Sequence, residues 1–280
     1  MPWFGFALGA ALVWSAGQLL TKRGLAHTSP LVNNLIGAVL ATLINVPLAL
    51  AGGVQWDHFG ATLVWGVATQ LGYLLYVYGL ASGPVTVTGT LIGCYPLSTA
   101  SLSVAFLHER LGAPQIAGIA AIVLGAIGLS LPGRLRRVEW QPRWVLVGLG
   151  GAALLGAADF TAKLGVNEGG SYTFLLAMVL GQVPGLALLL ALDRKGRRMP
   201  DIRQPVFLFT LLGVLGLVGG GTLLMLAFGS GPASLVSPVS SSYVGVSAVL
   251  AVLFLRERLN VRQSAAVALA ASGVVLLGAG

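Results

Sequence analysis

The sequence predicts an all-α integral membrane protein with ten transmembrane helices, arranged as two inverted five-helix repeats. Three observations lead to this prediction. The 280-residue chain is 56% hydrophobic and only 9% charged, whereas soluble domains carry about 25% charged residues. Its apolar runs are long enough to cross a bilayer, which takes roughly 20 residues. A charged junction also recurs, as FLHERLGAPQ at 106–115 and FLRERLNVRQ at 254–263.

Ten apolar segments follow one another, with short polar clusters between them. They lack period-two alternation, so we predict helices and not a β-barrel, because lipid-exposed backbone must be hydrogen-bonded within its own segment. The first segment has no basic start and no small-residue cleavage motif, so we expect it to be retained. The predicted spans are 3–23, 30–52, 58–81, 84–107, 112–132, 144–166, 170–192, 206–229, 232–255 and 260–280.

Lysine and arginine concentrate in the loops that follow odd-numbered spans. The even-numbered loops hold only Arg110, and Lys163 lies within a span. Positively charged short loops stay cytoplasmic, so we predict a bacterial cytoplasmic (inner) membrane protein with both termini on the non-cytoplasmic side. Lipid headgroups and topology account for the net charge of +8, and we expect no nucleic acid partner. The odd-loop cations are Lys22, Arg23, Arg134, Arg136, Arg137, Arg143, Arg194, Lys195, Arg197, Arg198, Arg203, Arg256, Arg258 and Arg262.

The two junctions belong to a longer repeat. A Ser-Gly-Pro tripeptide and a tyrosine match at the same spacing as the junctions, and a lysine and a glycine match with a small gap. The repeat therefore predicts two domains, 1–138 and 139–280. Each holds five spans, an odd number, so the second copy enters the membrane in the opposite sense, and such repeats enclose a substrate site near the midplane. The matched residues are Ser82, Gly83, Pro84, Tyr95, Lys22 and Gly24 against Ser230, Gly231, Pro232, Tyr243, Lys163 and Gly165.

With these residues the sequence resembles the drug/metabolite transporter superfamily, specifically the ten-helix type built from two EamA-like units, such as exporters of aromatic amino acids and other metabolites. The resemblance implies a secondary transporter with a central cavity lined by spans one, three, four, six, eight and nine. Four-helix multidrug relatives carry a membrane-embedded Glu two turns before the first-span Lys. Trp14 and Leu155 stand there instead, which argues against proton-coupled export of cationic drugs by that mechanism. The residues that carry the resemblance are 14–22, Gly24, Gln70, Gly72, Tyr73, 82–84, Tyr95, Pro96, the two Glu-Arg-Leu junctions, Gln115 and Gln263.

Asp159 and Lys163 lie inside predicted span six, where ionisable residues are costly and are usually functional or paired. They are four positions apart and share a helix face. One interpretation is an internal pair in which Asp159 neutralises a Lys163 that reaches toward the interface. The other is that Asp159 binds substrate or carries a proton. Gln18 aligns with Asp159 in the first half, so either role is asymmetric.

Span three reads WGVATQLGYLLYVYGL and places Gln70 and Tyr73 on one face, with Tyr76 or Val77 next along it. Aromatic side chains with polar tips suit a cavity for a partly apolar, hydrogen-bonding solute. Interfacial or core packing is the alternative. The aligned part of span eight has three glycines, 219–221, which either open volume or permit bending, or instead allow close helix packing.

Spans four and nine both contain hydroxyl-bearing residues and a proline. Span nine includes SLVSPVSSSY, and span four includes three threonines, Tyr95 and Pro96. Paired interrupted helices at corresponding positions of two repeats point to a transport site, although serines bonded to their own helix would be structural only. The candidate substrate-binding residues are Trp14, Gln18, Gln70, Tyr73, Tyr76, Tyr95, Asp159, Lys163, Ser240, Ser241 and Tyr243.

Glu109 and Glu257 recur in the two junctions, each next to an arginine. We expect local charge pairing and helix-start capping to explain both of them without transport chemistry.

The predicted function is secondary transport of a small organic metabolite, neutral or zwitterionic and with amino acids favoured, by alternating access. A channel or facilitator, or a broad drug exporter, is the alternative. The chain has no G-x-x-x-x-G-K-[ST] loop for an ATP-driven pump, and no histidine near the serine-rich span to suggest a membrane enzyme. With one cysteine, Cys94, we expect no cofactor and no metal site. The expected partners are the lipid bilayer and the small-molecule substrate, and we expect a monomer.

Overall fold

The computed structural model describes residues 1–24, 28–81, 91–130, 142–197, 204–255 and 260–279. Over these ranges the chain is helical and contains no strand, in agreement with the predicted all-α class. The helices are α1 Pro2–Gly24, α2 Pro30–Gly52, α3 Phe59–Ala81, α4 Tyr95–Phe106, α5 Ala113–Ser130, α6 and α7 within Pro142–Leu192, α8 Pro205–Phe228, α9 Ala233–Ser241, α10 Tyr243–Leu255 and α11 Val261–Ala279.

The range Pro142–Leu192 consists of two helices that meet at a single residue. Gly170 has φ 77° and ψ 165°, a backbone region that is open almost only to glycine. It separates α6 (142–169) from α7 (171–192). The sequence predicts two spans here with a short loop between them, and the reversal is achieved at one glycine.

The described residues include six segments that are long and apolar enough to cross a membrane, judged by length and composition. A multi-pass membrane protein follows, because such segments bury their backbone hydrogen bonds internally. The count of ten spans and the inverted arrangement stay predictions. The six segments are Pro2–Leu20, Pro30–Gly52, Val145–Leu192, Phe207–Phe228, Ala233–Leu250 and Val261–Ala279.

Predicted spans four and nine are interrupted at matching positions. In span nine, α9 ends at Ser241 and α10 begins at Tyr243, with the Ser242 N–H donating to Val239 O at 3.2 Å. In span four, the Cys94 N–H donates to Leu91 O at 3.1 Å and α4 begins at Tyr95. The predicted interruption is therefore present in both spans. Residues 84–90, with the three threonines of span four, lie outside the described part of the chain.

Glycines bring helices from the two halves into backbone contact. A Cβ added to Gly216 of α8 would lie 2.7 Å from the Gly17 Cα of α1. A Cβ on Gly72 of α3 would lie 2.7 Å from the Ala158 Cβ of α6. Each contact is closer than any side chain allows, so α1 packs directly on α8 and α3 packs directly on α6.

The last helix of each half, α5 and α11, packs on the other, at a contact that we call the α5–α11 seam. A Cβ on Gly118 would lie 3.1 Å from Gly273 O, and a Cβ on Gly125 would lie 2.7 Å from Ala266 O. Residue numbers rise along α5 as they fall along α11, so the two helices run antiparallel.

Candidate functional site

Asp159 lies at the centre of a hydrogen-bonded cluster between α3, α6 and α9. Its side chain is buried, with 2% of the residue exposed. The Tyr73 hydroxyl donates to Asp159 Oδ1 at 2.7 Å, and the Ser237 hydroxyl donates to Oδ2 at 2.6 Å. One carboxylate thus joins three helices from both halves of the chain. We call this arrangement the Asp159 cluster, made of Asp159, Tyr73, Ser237 and Thr99.

Thr99 extends the Asp159 cluster to α4. Its Oγ1 atom lies 3.3 Å from Ser237 Oγ, within hydrogen-bond distance. The same hydroxyl also lies 3.3 Å from Gly156 O and 3.4 Å from Tyr95 O. Thr99 and Ser237 are both fully buried, so the cluster is a chain of buried hydroxyls that leads to the carboxylate. Tyr95 itself is 4% exposed and opens α4.

Lys163 does not pair with Asp159, so the predicted internal ion pair is wrong. Its ammonium group donates to Phe228 O at 2.6 Å and to Gly231 O at 2.9 Å. The long lysine side chain reaches away from Asp159 to the C-terminal end of α8, where helix carbonyls lack partners and the helix dipole favours a cation. Elsewhere among the described residues, His58 Nδ1 lies 3.2 Å from Glu168 Oε1, a contact that is ionic only when the histidine is protonated.

Glu109 caps a helix that is distant in sequence. Its two carboxylate oxygens accept the N–H groups of Ala233 and Ser234, both at 2.9 Å, at the start of α9. The capping part of the prediction holds, but its target is α9 and not a neighbouring helix. Local pairing with Arg110 is not formed. Glu257, the matching residue, lies outside the described residues.

Glu109 and Lys163 together enclose the turn between α8 and α9. The cation meets the carbonyl end of α8 and the anion meets the N–H end of α9, so each charge complements a helix dipole. We call Glu109, Lys163 and the turn 229–232 the charge clamp.

A second polar group lies on α1, α8 and α10. The Trp14 indole Nε1 donates to Leu217 O at 2.9 Å, and its ring meets the Tyr243 ring edge to face, with centroids 5.9 Å apart and planes at 82°. The Gln18 side chain lies close to the Tyr243 hydroxyl. Three predicted site residues are therefore brought together. We call Trp14, Gln18 and Tyr243 the aromatic group.

Ser15 is an additional contact of the aromatic group that sequence reasoning missed. Its hydroxyl is fully buried and reaches Tyr243 O at 2.9 Å and Ala11 O at 2.6 Å. The repeat aligns Ser15 with Gly156 of α6. A Cβ on Gly156 would lie 2.8 Å from Tyr95 O, the carbonyl that matches Tyr243 O. Nothing in the sequence around Ser15 distinguishes it from other helix serines. Its role is recognised only when its contact with Tyr243 O is compared with the contact of Gly156 with Tyr95 O.

The remaining predicted residues serve local structure or lie outside the description. Gln70 donates to Met178 O on α7 at 3.2 Å, away from the Asp159 cluster. Ser240 donates to Ser237 O at 2.9 Å and Ser241 to Pro238 O at 2.7 Å, which matches the structural interpretation of these serines. The Tyr76 side chain lies outside the described part of the chain.

The glycines 219–221 of α8 serve both of the roles that the sequence leaves open. A Cβ on Gly220 would overlap the Trp14 ring, whereas a Cβ on Gly221 would meet nothing within 4 Å. Gly221 aligns with Tyr73, so the second half has open space where the first half has a tyrosine hydroxyl.

Two further observations bound the site. Among the described residues, no group of three or more His, Cys, Asp or Glu side chains is placed to hold a metal ion. An apolar groove of about 290 Å³ opens between α2 and α7, and none of the predicted site residues lines it.

Comparison with known proteins agrees with these features. The model of the EamA-like transporter family matches residues 1–131 and again residues 142–279. The chain is 28% identical over 133 residues to an uncharacterized protein, MJ1333.1, of Methanocaldococcus jannaschii, a match that covers 48% of this chain and 94% of that protein.

Two other similarities are to a sequence relative and to a solved structure. The uncharacterized transporter YwfM of Bacillus subtilis is 26% identical over 136 residues, and the match spans 47% of this chain and about half of that protein, 46%. A solved crystal structure has a TM-score of 0.80 at 18% identity and covers 98% of this chain and 95% of its own, which shows a shared fold. With two copies of one family unit along almost its whole length, the chain belongs to the EamA-like transporter family.

Proposed function

We propose that this protein is a secondary carrier that moves a small organic metabolite across a bacterial cytoplasmic membrane by alternating access. The observation that carries the proposal is the Asp159 cluster, a buried carboxylate that joins helices of both halves within an apolar bundle. Buried polar networks within a membrane are costly and mark transport pathways. The interrupted helices at matching positions lie directly beside this cluster.

The contacts between helices support two inverted units, 1–138 and 139–280. The first helix of each unit packs on the third helix of the other, α1 on α8 and α6 on α3. The fifth helices run antiparallel at the α5–α11 seam, as inversion requires. A relative whose length is almost completely covered by half of this chain also supports a self-contained unit.

The charge clamp supports a closed gate at one membrane face. It connects Glu109, which follows the fourth span of the first unit, to α9 of the second unit through two hydrogen bonds to backbone N–H groups. By the distribution of Lys and Arg, this face is the non-cytoplasmic one. A carrier must close one face while the other opens, and the clamp supplies specific bonds that can break and reform.

The lining residues favour a neutral or zwitterionic solute, with amino acids as the first candidates. The aromatic group offers indole, phenol and amide groups without a net charge. Such side chains bind a partly apolar solute and orient it through a few hydrogen bonds. The Asp159 cluster on the other side of α9 provides the only buried carboxylate described near them.

Counterflow in liposomes tests the proposal. A thermal-shift screen of purified protein against amino acids, sugars and nucleosides first selects a solute, since a ligand of the folded state raises its apparent stability. Liposomes loaded with that unlabelled solute are then given a trace of its labelled form. A carrier accumulates label transiently above equilibrium, and Tyr73→Ala or Asp159→Asn lowers this flux while the yield of folded protein is kept.

Other outcomes would overturn the proposal. Flux that does not saturate and shows no counterflow indicates a channel, and conversion of the solute indicates an enzyme. Wild-type flux in both variants removes Tyr73 and Asp159 from the site.

A further inference from the structure

We propose that Asp159 is a reversible proton-binding site, and that its protonation is coupled to movement of the solute. This inference rests on the proposed carrier function. It starts from a buried carboxylate that has no cationic partner among the described residues and whose hydrogen bonds come from hydroxyl groups.

No cation in the described part of the chain balances the charge on Asp159. Lys163 lies on the same helix, but its ammonium group is committed to Phe228 O and Gly231 O in the charge clamp. The other titratable groups that face the cluster are Tyr73 from α3 and Tyr95 from α4. An isolated carboxylate in a medium of low dielectric constant gains most from binding a cation.

The space at Asp159 selects the smallest cation. Only 2% of the residue is exposed, and each carboxylate oxygen already accepts a hydroxyl hydrogen bond. An organic ammonium group could reach the carboxylate only if surrounding side chains were displaced. A proton needs no such displacement.

The hydrogen-bond partners of Asp159 can bind both the ionised and the protonated carboxyl group, unlike those of Glu109. Glu109 receives two backbone N–H groups, which can only donate, so a proton on this carboxylate would leave an N–H without a partner. Tyr73 and Ser237 present hydroxyl groups, which donate to a carboxylate and accept from a carboxylic acid. The Asp159 cluster is therefore built to hold its carboxyl group in two protonation states.

The proton balance is simple. A proton from the aqueous phase binds Asp159 Oδ2 and forms an O–H bond, which then donates to Ser237 Oγ. The Ser237 hydroxyl hydrogen turns to Thr99 Oγ1, 3.3 Å away, while Tyr73 continues to donate to Oδ1. No donor is orphaned, but the two bonds that join α6 to α3 and α9 lose their ionic character and become weaker. Protonation thus loosens helices from both halves at one point.

Infrared difference spectroscopy of the full chain in liposomes tests the site without any solute. Raising the pH should remove a protonated-carboxyl C=O band from the wild type, and Asp159→Asn should lack this band. Asp193→Asn serves as the matched control, because Asp193 accepts the Gly196 N–H at 2.8 Å in a polar turn after α7, and it should keep the band. Tyr73→Phe should keep the band and shift its midpoint to higher pH, since the charged form loses a donor.

Coupling is measured with the solute that shows counterflow, under an imposed pH gradient. In the wild type the gradient should drive accumulation at least about tenfold above the equilibrium level, and in Asp159→Asn it should drive none. A band that is unchanged in Asp159→Asn, or accumulation that follows a sodium gradient instead, overturns the inference and leaves the carrier intact. Absence of counterflow in the wild type overturns the proposed function itself.

Discussion

Two helix contacts at matching positions of the repeat, one between α1 and α10 and one between α6 and α4, have the same backbone geometry and different side chains. On one side, the Ser15 hydroxyl of α1 bonds to Tyr243 O at the start of α10. On the other, Gly156 of α6 lets two backbones approach at Tyr95 O at the start of α4. One turn further along each helix stands Gln18 or Asp159, which face the aromatic group and the Asp159 cluster respectively. The comparison shows that both halves of the repeat keep the same helix contact, whereas only the second half carries a charged residue, Asp159, next to it.

Gly156→Ala should have the largest effect, because it tests the contact that only glycine allows. The new Cβ would lie 2.8 Å from Tyr95 O and 2.9 Å from Thr99 N, and would overlap the Ser98 Cβ. Backbone atoms cannot move aside as a side chain would, so we expect a loss of about 3 kcal/mol in the free energy of unfolding. Thermal unfolding in detergent measures it. Ser15→Ala is the matched control and should cost about 1 kcal/mol, the value of one hydrogen bond.

An equal loss in the free energy of unfolding in both variants would contradict the proposed difference between the two helix contacts. Unchanged stability in Gly156→Ala would show that α4 and α6 are further apart than described.

Exchanging the two polar residues tests whether the position of the charge matters. The double variant Gln18→Asp with Asp159→Gln keeps the composition and moves the carboxylate to α1. There it lacks the counterpart of the Tyr73 hydroxyl, because Gly221 stands at the aligned position and a Cβ at Gly221 meets nothing within 4 Å. We expect counterflow to fall at least about tenfold, equivalent to about 1.4 kcal/mol, and to stay as low as in Asp159→Gln alone. Recovery in the double variant would show that either unit can hold the charge.

Glu109→Gln tests the charge clamp. The amide cannot accept both N–H groups, and it loses the charge that favours the α9 N-terminus, an effect of roughly 1.5 kcal/mol. Cys94 is the sole cysteine of the chain, so an impermeant thiol reagent reports access to the start of α4. Labelling from the non-cytoplasmic side should become about tenfold faster.

Glu257→Gln is the matched control for this experiment, since the repeat places it at the opposite face. It should leave labelling from the non-cytoplasmic side unchanged. Equal acceleration from one side by both variants would contradict the inverted arrangement.

Trp14→Phe should have the smallest effect. It removes the indole donor to Leu217 O and keeps an aromatic edge for Tyr243, so we expect a loss of about 1 kcal/mol in the free energy of unfolding. Trp56→Phe, at a site where the tryptophan is 63% exposed, should leave the unfolding temperature unchanged. A larger shift at Trp56 than at Trp14 would show that the aromatic group adds no stability.

Much of the fold follows from the sequence because it depends on local hydrophobicity and on the repeat. The helices, the interruptions at Cys94 and Ser242 and the membership of a transporter family are all read from one-dimensional patterns. Lys163 was misjudged because spacing along α6 favours Asp159, while the carbonyls that bind it belong to the end of α8. Contacts between helices that are far apart along the chain produce no recognisable pattern in the local sequence.

The candidate site shows the same limit. Asp159, Tyr73 and Tyr243 attract notice because charged or aromatic residues are rare in such segments. Thr99 and Ser15 resemble ordinary helix serines and threonines, which often bond to their own backbone. Their roles depend on which carbonyl or hydroxyl another helix brings within reach, and that is fixed only by packing.

The α5–α11 seam restricts how the two units can move. Its small residues place backbone against backbone at Gly118, Gly125 and Gly273, so a slide along the helix axis would drive a neighbouring side chain into main-chain atoms. Rotation about the seam needs no such collision. In the proposed carrier, the two halves would therefore rotate about the α5–α11 seam, and displacements would grow with distance from α5 and α11.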